Sequence, residues 1–290
     1  MKLATFNDSK GHRIGVVNGN SIVDLSVHAP GLPTGMIAFL EAGEHALGAA
    51  RAVANAPGIP LDRVKLEAPV QRPRKILGIG LNYADHIAES GMAKPERQVW
   101  FTKQHNGIVG PSDPFLLPVV SQLLDYEAEL CFVIGKRCKH VPRERAPEVI
   151  AGFCVGNDVS VRDWQFHSQT MLMGKSFDTH APLGPWLVTP DEIGDPHALD
   201  IKCWVNGELR QNSNTRQLIF NCYDQIAYLS QAFTLEPGDV IYTGTPAGVG
   251  AGMKPPSFLK AGDRVRIEIE RIGSIENRVE PETATAVITH

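Results

Sequence analysis

Short apolar runs separated by glycine, proline and asparagine constrain the fold of this chain more than any other sequence feature. Residues 3–6, 13–17 and 22–25 have the length of strands, and Ser9-Lys10-Gly11 and Asn18-Gly19-Asn20 supply turns between them. The chain holds 27 glycines and 21 prolines, which favours many turns. We therefore predict a fold rich in short strands.

The same pattern continues along the chain, and few segments have helical periodicity. Helices are predicted at 34–54, 82–89 and 220–233. The Asn206-Gly207 pair predicts a hairpin. The further predicted strands are 75–80, 99–102, 126–134, 153–159, 203–205, 208–210, 240–243, 264–269 and 285–289. Because strands outnumber helices and do not alternate with them, a doubly wound sheet and a (β/α)₈ barrel are both excluded.

A proline-rich stretch divides the chain. Residues 56–60 read Ala-Pro-Gly-Ile-Pro, and the sequence stays turn-like to about Pro73. This predicts a small N-terminal αβ domain at 1–72 and a larger β-rich domain at 73–290. The predicted fold class is therefore α+β and β-rich.

Charge and composition limit the partners. The net charge of −4 gives no general electrostatic attraction to nucleic acid or to anionic membranes. No apolar run approaches the roughly 20 residues of a membrane helix. The five cysteines form no C-x-x-C motif, and polar residues interrupt the N-terminus too early for a signal peptide. We expect a cytoplasmic protein with neither a nucleic-acid nor a membrane partner.

Three carboxylates suggest a metal site. Glu127 and Glu129 lie two residues apart on a predicted strand and so project from the same face. Asp158 ends another apolar strand, where its carboxylate can face the first two. A hard divalent cation would neutralise their mutual repulsion. The alternative is an edge strand with two solvated glutamates, with Asp158 capping the turn that follows.

A histidine and a glutamate at helical spacing suggest acid–base chemistry. His86 and Glu89 lie at i and i+3, so the carboxylate can orient the imidazole and raise its basicity. A surface ion pair is the alternative. Lys175 is either a cation beside an oxyanion or a surface lysine, and the glycine-rich residues 242–250 either hold a carboxylate or form a tight turn.

Five motifs in a fixed order resemble the fumarylacetoacetate hydrolase family. The resemblance covers about residues 75–279. The motifs are Gly-Leu-Asn-Tyr-x-Asp-His-x-x-Glu (80–89), Asp-Tyr-Glu-x-Glu-Leu (125–130), Gly-Asn-Asp-Val-Ser-x-Arg-Asp (156–163), Gly-Lys-Ser-Phe-Asp (174–178) and Tyr-Thr-Gly-Thr-Pro-x-Gly-Val-Gly (242–250).

The resemblance implies a fold, an assembly and a set of site residues. The catalytic domain would be a mixed β-sandwich roll in a homodimer, with residues 83–97 as a mobile lid. One Mg²⁺ or Mn²⁺ per chain would be held by Glu127, Glu129 and Asp158, and Asp85 is left open as a further ligand. The catalytic groups would be His86, Glu89 and Lys175, and the substrate-binding residues Arg162, Gln165, Thr245, Tyr83 and Lys103.

The resemblance also implies a reaction on a 2-oxo or diketo acid. The first expectation is a metal-dependent hydrolase that cleaves a C–C bond of an acylpyruvate with a water activated by His86. The alternatives are a 2-oxo acid lyase or isomerase that uses the same metal, and a catalytically silent ligand-binding relative. Gln104-His105-Asn106 follows Lys103 where the family often has proline. We expect this stretch to border the pocket.

Overall fold

The computed structural model describes residues 1–288. The strands are β1 Lys2–Asp8, β2 Gly11–Asn18, β3 Ser21–Asp24, β4 Ile59–Pro60, β5 Lys65–Glu67, β6 Ile76–Gly80, β7 Val99–Lys103, β8 Ile108–Val109, β9 Phe115–Leu117, β10 Leu124–Asp125, β11 Ala128–Ile134, β12 Ile150–Asn157, β13 Ser160–Val161, β14 Ala181–Val188, β15 Asp200–Val205, β16 Glu208–Asn214, β17 Val240–Tyr242, β18 Arg264–Ile269 and β19 Gly273–Pro281.

Helices are fewer than strands within the described residues. The α-helices are α1 Leu25–His28, α2 Met36–Glu41, α3 Gly43–Ala52, α4 Ala84–Ser90, α5 Arg162–Gln165, α6 Leu172–Lys175, α7 Pro190–Ile193 and α8 Cys222–Ala232. Short 3₁₀ turns occur at Leu61–Arg63, His105–Gly107, Arg143–Val149, Thr215–Gln217 and Gly250–Gly252. This strand-rich composition confirms the predicted α+β class.

A large mixed sheet runs through the molecule in the order β4-β3-β2-β1-β14-β12-β11-β17-β6-β7. The strand β5 also pairs with β1, and β8 pairs with β14. The N-terminal strands join the rest through antiparallel pairing of β1 with β14. The two parts of the chain therefore share one sheet, and the boundary at residues 72 and 73 stays a prediction.

A five-stranded sheet, in the order β16-β15-β18-β19-β9, packs against one face of the large sheet. Leu130, Phe132 and Ile134 of β11 point towards it. Cys131 and Val133, on the opposite face of β11, belong to a second cluster that includes residues of α2 and α3. Both faces of β11 are therefore buried, as expected of a central strand that holds a site in place.

Two predicted N-terminal features differ from the structure. The helix predicted at 34–54 is two helices, α2 and α3, which meet at Gly43 with a φ of 62°. A left-handed residue cannot continue a helix, and glycine adopts this conformation without steric cost. Residues 59–67, predicted as turns, contain β4 and β5, because pairing with β3 and β1 satisfies their backbone groups.

The hairpin prediction is confirmed, whereas the last predicted strand is wrong. Asn206 and Gly207 join β15 to β16 with φ values of 52° and 83°, as a two-residue turn with two left-handed positions requires. The chain ends its sheet at β19, which lies between β18 and β9. Residues 285–288 form no strand, and Thr289 lies outside the described residues.

Candidate active site

Three buried carboxylates meet where β11 begins and β12 ends. Glu127 immediately precedes β11, Glu129 lies on it, and Asp158 immediately follows β12. The two strands are antiparallel, and the Asp158 N–H donates to the Glu127 carbonyl at 2.9 Å. This register brings one carboxylate oxygen of each residue within 4.8 Å of the others. Such a group of oxygens could hold a metal ion.

Two lysines contact the same cluster. The Lys175 ammonium donates to Glu127 Oε2 at 2.6 Å and to Asp158 Oδ2 at 2.7 Å. The Lys103 ammonium donates to the other oxygen of Asp158 at 2.5 Å and to the Val159 carbonyl at 3.2 Å. Both lysines are almost fully buried, so these ion pairs replace the hydration that the charges lose.

Arg162 connects the cluster to a fourth carboxylate, Asp125. Its Nη1 lies 2.8 Å from Glu127, and its Nε donates to Asp125 at 2.8 Å. Asp125 is fully buried and also accepts the backbone N–H groups of Gly250 and Ala251, at 2.7 and 2.9 Å. Asp125 therefore joins the arginine to the glycine-rich turn.

The two glutamates of the cluster respond differently to their surroundings. Burial alone would raise the pKa of Glu127, but the charges of Lys175 and Arg162 outweigh it and lower the pKa to about 2. Burial, together with the charges of Asp158 and Glu127, raises the pKa of Glu129 well above its usual value.

The surroundings of Glu129 fit a cation. Within residues 1–288, Glu129 forms no ion pair with Lys, Arg or His, and its side chain accepts only the Gly244 N–H, at 2.7 Å. A buried carboxylate without a cationic partner is costly. A hard divalent ion among the three carboxylates would remove that cost, and carboxylate oxygens are the ligands that Mg²⁺ and Mn²⁺ prefer.

The histidine–glutamate pair forms along one face of α4. His86 Nδ1 lies 3.1 Å from Glu89 Oε2. The other carboxylate oxygen of Glu89 accepts the Gly248 N–H at 2.8 Å. Gly252 packs so closely that a β-carbon there would lie 2.6 Å from Glu89 Cδ. The carboxylate is thereby fixed in position, and it fixes the imidazole in turn.

A cavity of about 530 Å³ connects these groups. Eight of the predicted site residues line it, namely His86, Glu89, Glu127, Glu129, Arg162, Gln165, Lys175 and Thr245. Apolar side chains form most of the remaining wall, namely Ile79, Leu81, Met92, Val99, Phe101, Phe166, Met171 and Val249.

Three predicted residues lie behind this wall. Asp158 is covered by the two lysines, and Lys103 points to Asp158 instead of lining the cavity. Tyr83 is fully buried, and its hydroxyl has no hydrogen-bond partner among residues 1–288. The predicted roles of Lys103 and Tyr83 in contacting substrate therefore have no support in the cavity wall. Asp85 accepts the Ser213 hydroxyl at 2.5 Å and is not part of the three-carboxylate group.

The stretch after Lys103 does not border the site. Gln104 and His105 line a separate surface depression with Arg74 and Lys75. The expectation that this stretch faces the substrate pocket is therefore wrong. β7 ends at Lys103, and the chain then enters the 3₁₀ turn His105–Gly107.

The glycine-rich turn holds carboxylates, and they are the protein's own. Its N–H groups bind Glu89 through Gly248 and Asp125 through Gly250 and Ala251. The Thr245 hydroxyl, which lines the cavity, accepts from the amide of Gln211 at 2.8 Å. The turn thus positions side chains instead of offering all its donors to a ligand.

Two structurally important residues were not predicted. Asp125 opens the motif that contains both glutamates, so that motif was the available signal. Gln211 is buried and bonds to the Ala128 N–H, Thr245 and the Pro246 carbonyl. It comes from β16, far away in sequence, where no local pattern marks it.

Known proteins similar to this chain act on related acids. A mitochondrial oxaloacetate tautomerase of Rattus norvegicus is 50% identical over 264 residues, which cover 90% of this chain and 84% of that protein. One from Xenopus laevis is 48% identical over 96% of this chain and 90% of its own length. A maleylpyruvate hydrolase structure from Sphingobium sp. SYK-6, with manganese(II) and pyruvate, is 35% identical, with a TM-score of 0.82 over 98% of this chain and 100% of that one.

These comparisons correct the expected location and support an enzyme. The names of both tautomerases include the word mitochondrial, which overturns the expectation of a cytoplasmic protein. Because these relatives carry the names of enzymes, they favour an enzyme over a silent ligand-binding protein.

No helix within residues 1–288 is long and apolar enough to span a membrane.

The family model for the C-terminal part of fumarylacetoacetate hydrolase matches residues 75–280, which contain all five motifs and every residue of the cavity wall. The mixed sheets also agree with the Sphingobium structure along almost the whole chain. The β-sandwich roll predicted from the motifs is confirmed, and the chain belongs to the fumarylacetoacetate hydrolase family.

Proposed function

We propose that this chain catalyses the keto–enol tautomerisation of a 2-oxo acid, with oxaloacetate as the first candidate substrate. The observation that carries the proposal is that the His86–Glu89 pair opens into the same cavity as Glu127, Glu129 and Lys175. An acid–base group therefore faces a strongly charged cluster across a space large enough for a small acid. The names of the relatives that are 48–50% identical support this reaction.

The carboxylates of Glu127, Glu129 and Asp158 would hold one Mg²⁺ or Mn²⁺. The bound ion would act as a Lewis acid that polarises the 2-oxo group and favours its enolate. Manganese in the maleylpyruvate hydrolase supports this assignment.

His86 would move the proton that distinguishes the two tautomers. The imidazole removes a proton from C3, the C–H electrons form the C2–C3 double bond, and the carbonyl electrons move to O2. Return of a proton to O2 completes the enol, and the reverse sequence gives the ketone, so no atom is gained or lost. Glu89 stabilises the imidazolium that forms between the two steps.

Cationic side chains would stabilise the charge on the substrate. Lys175 lines the cavity and brings its ammonium close to the carboxylate cluster, where negative charge on O2 would develop. Arg162, Gln165 and Thr245 also line the cavity and would position the C1 carboxylate. The Arg162 and Gln165 side chains contact each other at 3.1 Å, so one restricts the other.

Ultraviolet absorbance of the enol of oxaloacetate tests the proposal. His86→Ala should lower kcat by roughly 10²–10⁴-fold with a modest change in KM. The matched control is His12→Ala, because His12 pairs with Glu67 at 2.6 Å in a second histidine–glutamate pair outside the cavity. Equal rates for His86→Ala and the unmodified chain would exclude His86 as the proton carrier.

Hydrolysis of an acylpyruvate is the second candidate. The same imidazole would deprotonate a water that attacks the distal carbonyl, and the C–C bond would break to release the enolate of a 2-oxo acid. The maleylpyruvate hydrolase of Sphingobium favours this reading. Product analysis on acylpyruvates and oxaloacetate separates cleavage and decarboxylation from tautomerisation, because only tautomerisation leaves the carbon chain intact.

A further inference from the structure

The cavity changes character from its floor to its mouth. Glu127, Glu129 and Lys175 at the floor are at most 5% exposed. Met92, Val99 and Phe166 belong to the same cavity wall but are 55%, 36% and 80% exposed, so they lie where the cavity opens to solvent. A ligand whose charged end reaches the floor would therefore extend past apolar side chains at the mouth.

Two other apolar wall residues are held in a strained backbone conformation. Leu81 and Met171 line the cavity with φ values of 54° and 58°. Glycine would relieve this strain, since only glycine adopts the left-handed region without cost. Strain of this kind concentrates where a side chain serves a site. The leucine and the methionine thus place apolar side chains on the wall although their backbone conformation is unfavourable.

The wall offers little to a second negative charge away from the floor. Within the described chain, the cationic wall residues are Arg162, which is partly buried, and Lys175, which is buried, and both are paired with carboxylates. Glu89 also lines the cavity, and its side chain is 21% exposed. A distal carboxylate on a long substrate would meet apolar groups and this acid.

From the strained wall and the exposed apolar mouth, we propose that the site prefers 2-oxo acids that carry an uncharged apolar substituent, such as an aryl group, beyond C3. This inference rests on the proposed function, because it takes the 2-oxo carboxylate to bind at the charged floor. Oxaloacetate is short enough to stay near the floor and leaves the mouth unfilled. A phenyl ring at C3 would reach Met92, Phe166 and Met171 and remove apolar surface from water.

Binding of pyruvate and phenylpyruvate to the manganese-loaded chain tests the inference by calorimetry. The two acids share the 2-oxo carboxylate and differ by the phenyl ring. We expect phenylpyruvate to bind on the order of 10-fold or more tightly. The double variant Met92→Ala, Phe166→Ala should lose most of this preference. Leu209→Ala removes another exposed apolar side chain, 47% exposed and outside the cavity, and should keep it.

A reciprocal variant tests the charge argument. Val99→Arg places a cation at the mouth and should shift the preference from phenylpyruvate towards oxaloacetate. Val99 is more than a third exposed, so the chain has room for the longer side chain.

The outcomes separate this inference from the proposed function. Equal affinities for pyruvate and phenylpyruvate, in a chain that still tautomerises oxaloacetate, would overturn only the apolar preference. If neither acid binds while the chain still tautomerises oxaloacetate, the apolar preference fails and the proposed function stands. A preference for phenylpyruvate without tautomerase activity would support the apolar mouth and contradict the proposed reaction.

Discussion

At the scale of single residues, the buried charges around β11 leave one carboxylate without a cationic partner. Four carboxylates, Asp125, Glu127, Glu129 and Asp158, share three cations, Lys103, Lys175 and Arg162. Of these four, Glu129 forms no ion pair in the described part of the chain. A bound metal would stabilise its charge, whereas burial opposes that charge when no metal is bound.

Glu129→Gln should separate these two effects. We expect Mn²⁺ affinity to fall by more than the roughly 10–100-fold that loss of an outer-shell partner costs. The thermal midpoint of the metal-free chain should stay the same or rise, because the amide removes a buried charge. Titration with Mn²⁺ and thermal melts in EDTA measure the two quantities. Unchanged Mn²⁺ affinity would remove Glu129 from the metal site.

Asp125 should act as a positioning residue, since it holds Arg162 and the turn that carries Gly250. Asp125→Asn keeps hydrogen-bonding oxygen but loses the charge, so we expect a raised KM for the 2-oxo acid with a smaller change in kcat. The matched control is Asp24→Asn, which weakens the buried pair between Asp24 and Arg13 outside the cavity. If both variants change KM equally, the effect of Asp125→Asn reflects a general loss of stability and not the positioning of Arg162.

At the scale of elements, the glycine-rich turn is the part that joins the site. It carries Thr245 on the cavity wall, fixes Glu89 through Gly248, and fixes Asp125 through its last residues. The histidine–glutamate pair on α4 and the arginine on α5 therefore depend on one loop. A shift of the turn would disturb both the proton carrier and the carboxylate-binding groups.

Gly248→Ala should show this dependence. The φ of Gly248 is 102°, and an added β-carbon would lie 2.0 Å from the Arg210 carbonyl oxygen, so the turn must move. We expect kcat to fall, because the Gly248 N–H holds the Glu89 carboxylate that orients His86. Gly262→Ala is the control, because Gly262 has a φ of 97° but no atom within 4 Å of the added carbon. It should cost about 1 kcal/mol of stability and leave kcat unchanged. Equal kcat in the two variants would contradict the role given to the turn.

At the scale of the whole molecule, the buried His180 makes the folding stability depend on pH. Its Nε2 lies 2.7 Å from the Leu116 carbonyl and donates to it, and within residues 1–288 its Nδ1 has no hydrogen-bond partner. Burial lowers the pKa of His180 from 6.5 to about 3. Between these values the unfolded chain binds a proton that the folded chain does not. The contribution of His180 to stability is therefore complete above pH 6.5 and declines as the pH falls towards 3.

Chemical denaturation at pH 7 and at pH 5 measures this contribution. The stability of the unmodified chain should fall by up to about 2 kcal/mol from His180 alone. His180→Phe keeps a ring between Phe115 and Phe177 and should show a shallower decline. An equal decline in both chains would show that His180 does not titrate as described.

The homodimer also stays a prediction, and light scattering should give about twice the chain mass of 31.6 kDa.

The sequence by itself determined the strand-rich class, the hairpin at Asn206-Gly207 and the three carboxylates. Each depends on local rules, since period two places Glu127 and Glu129 on one face and an Asn-Gly pair favours a two-residue turn. The family resemblance then supplied the expected roles of His86, Glu89 and Lys175. These residues lie in motifs whose spacing is visible without any contact between distant parts of the chain.

Only the tertiary structure decided which residues face the cavity. Tyr83 lies in the first motif and Lys103 between the first two, but packing places both behind the wall, whereas Gln211 enters from a distant strand. The donors of the glycine-rich turn are used by Glu89 and Asp125, which no local pattern shows. The apolar mouth likewise depends on Met92, Val99 and Phe166 meeting from three separate segments. Such contacts depend on the path of the whole chain, and for that reason sequence periodicity cannot specify them.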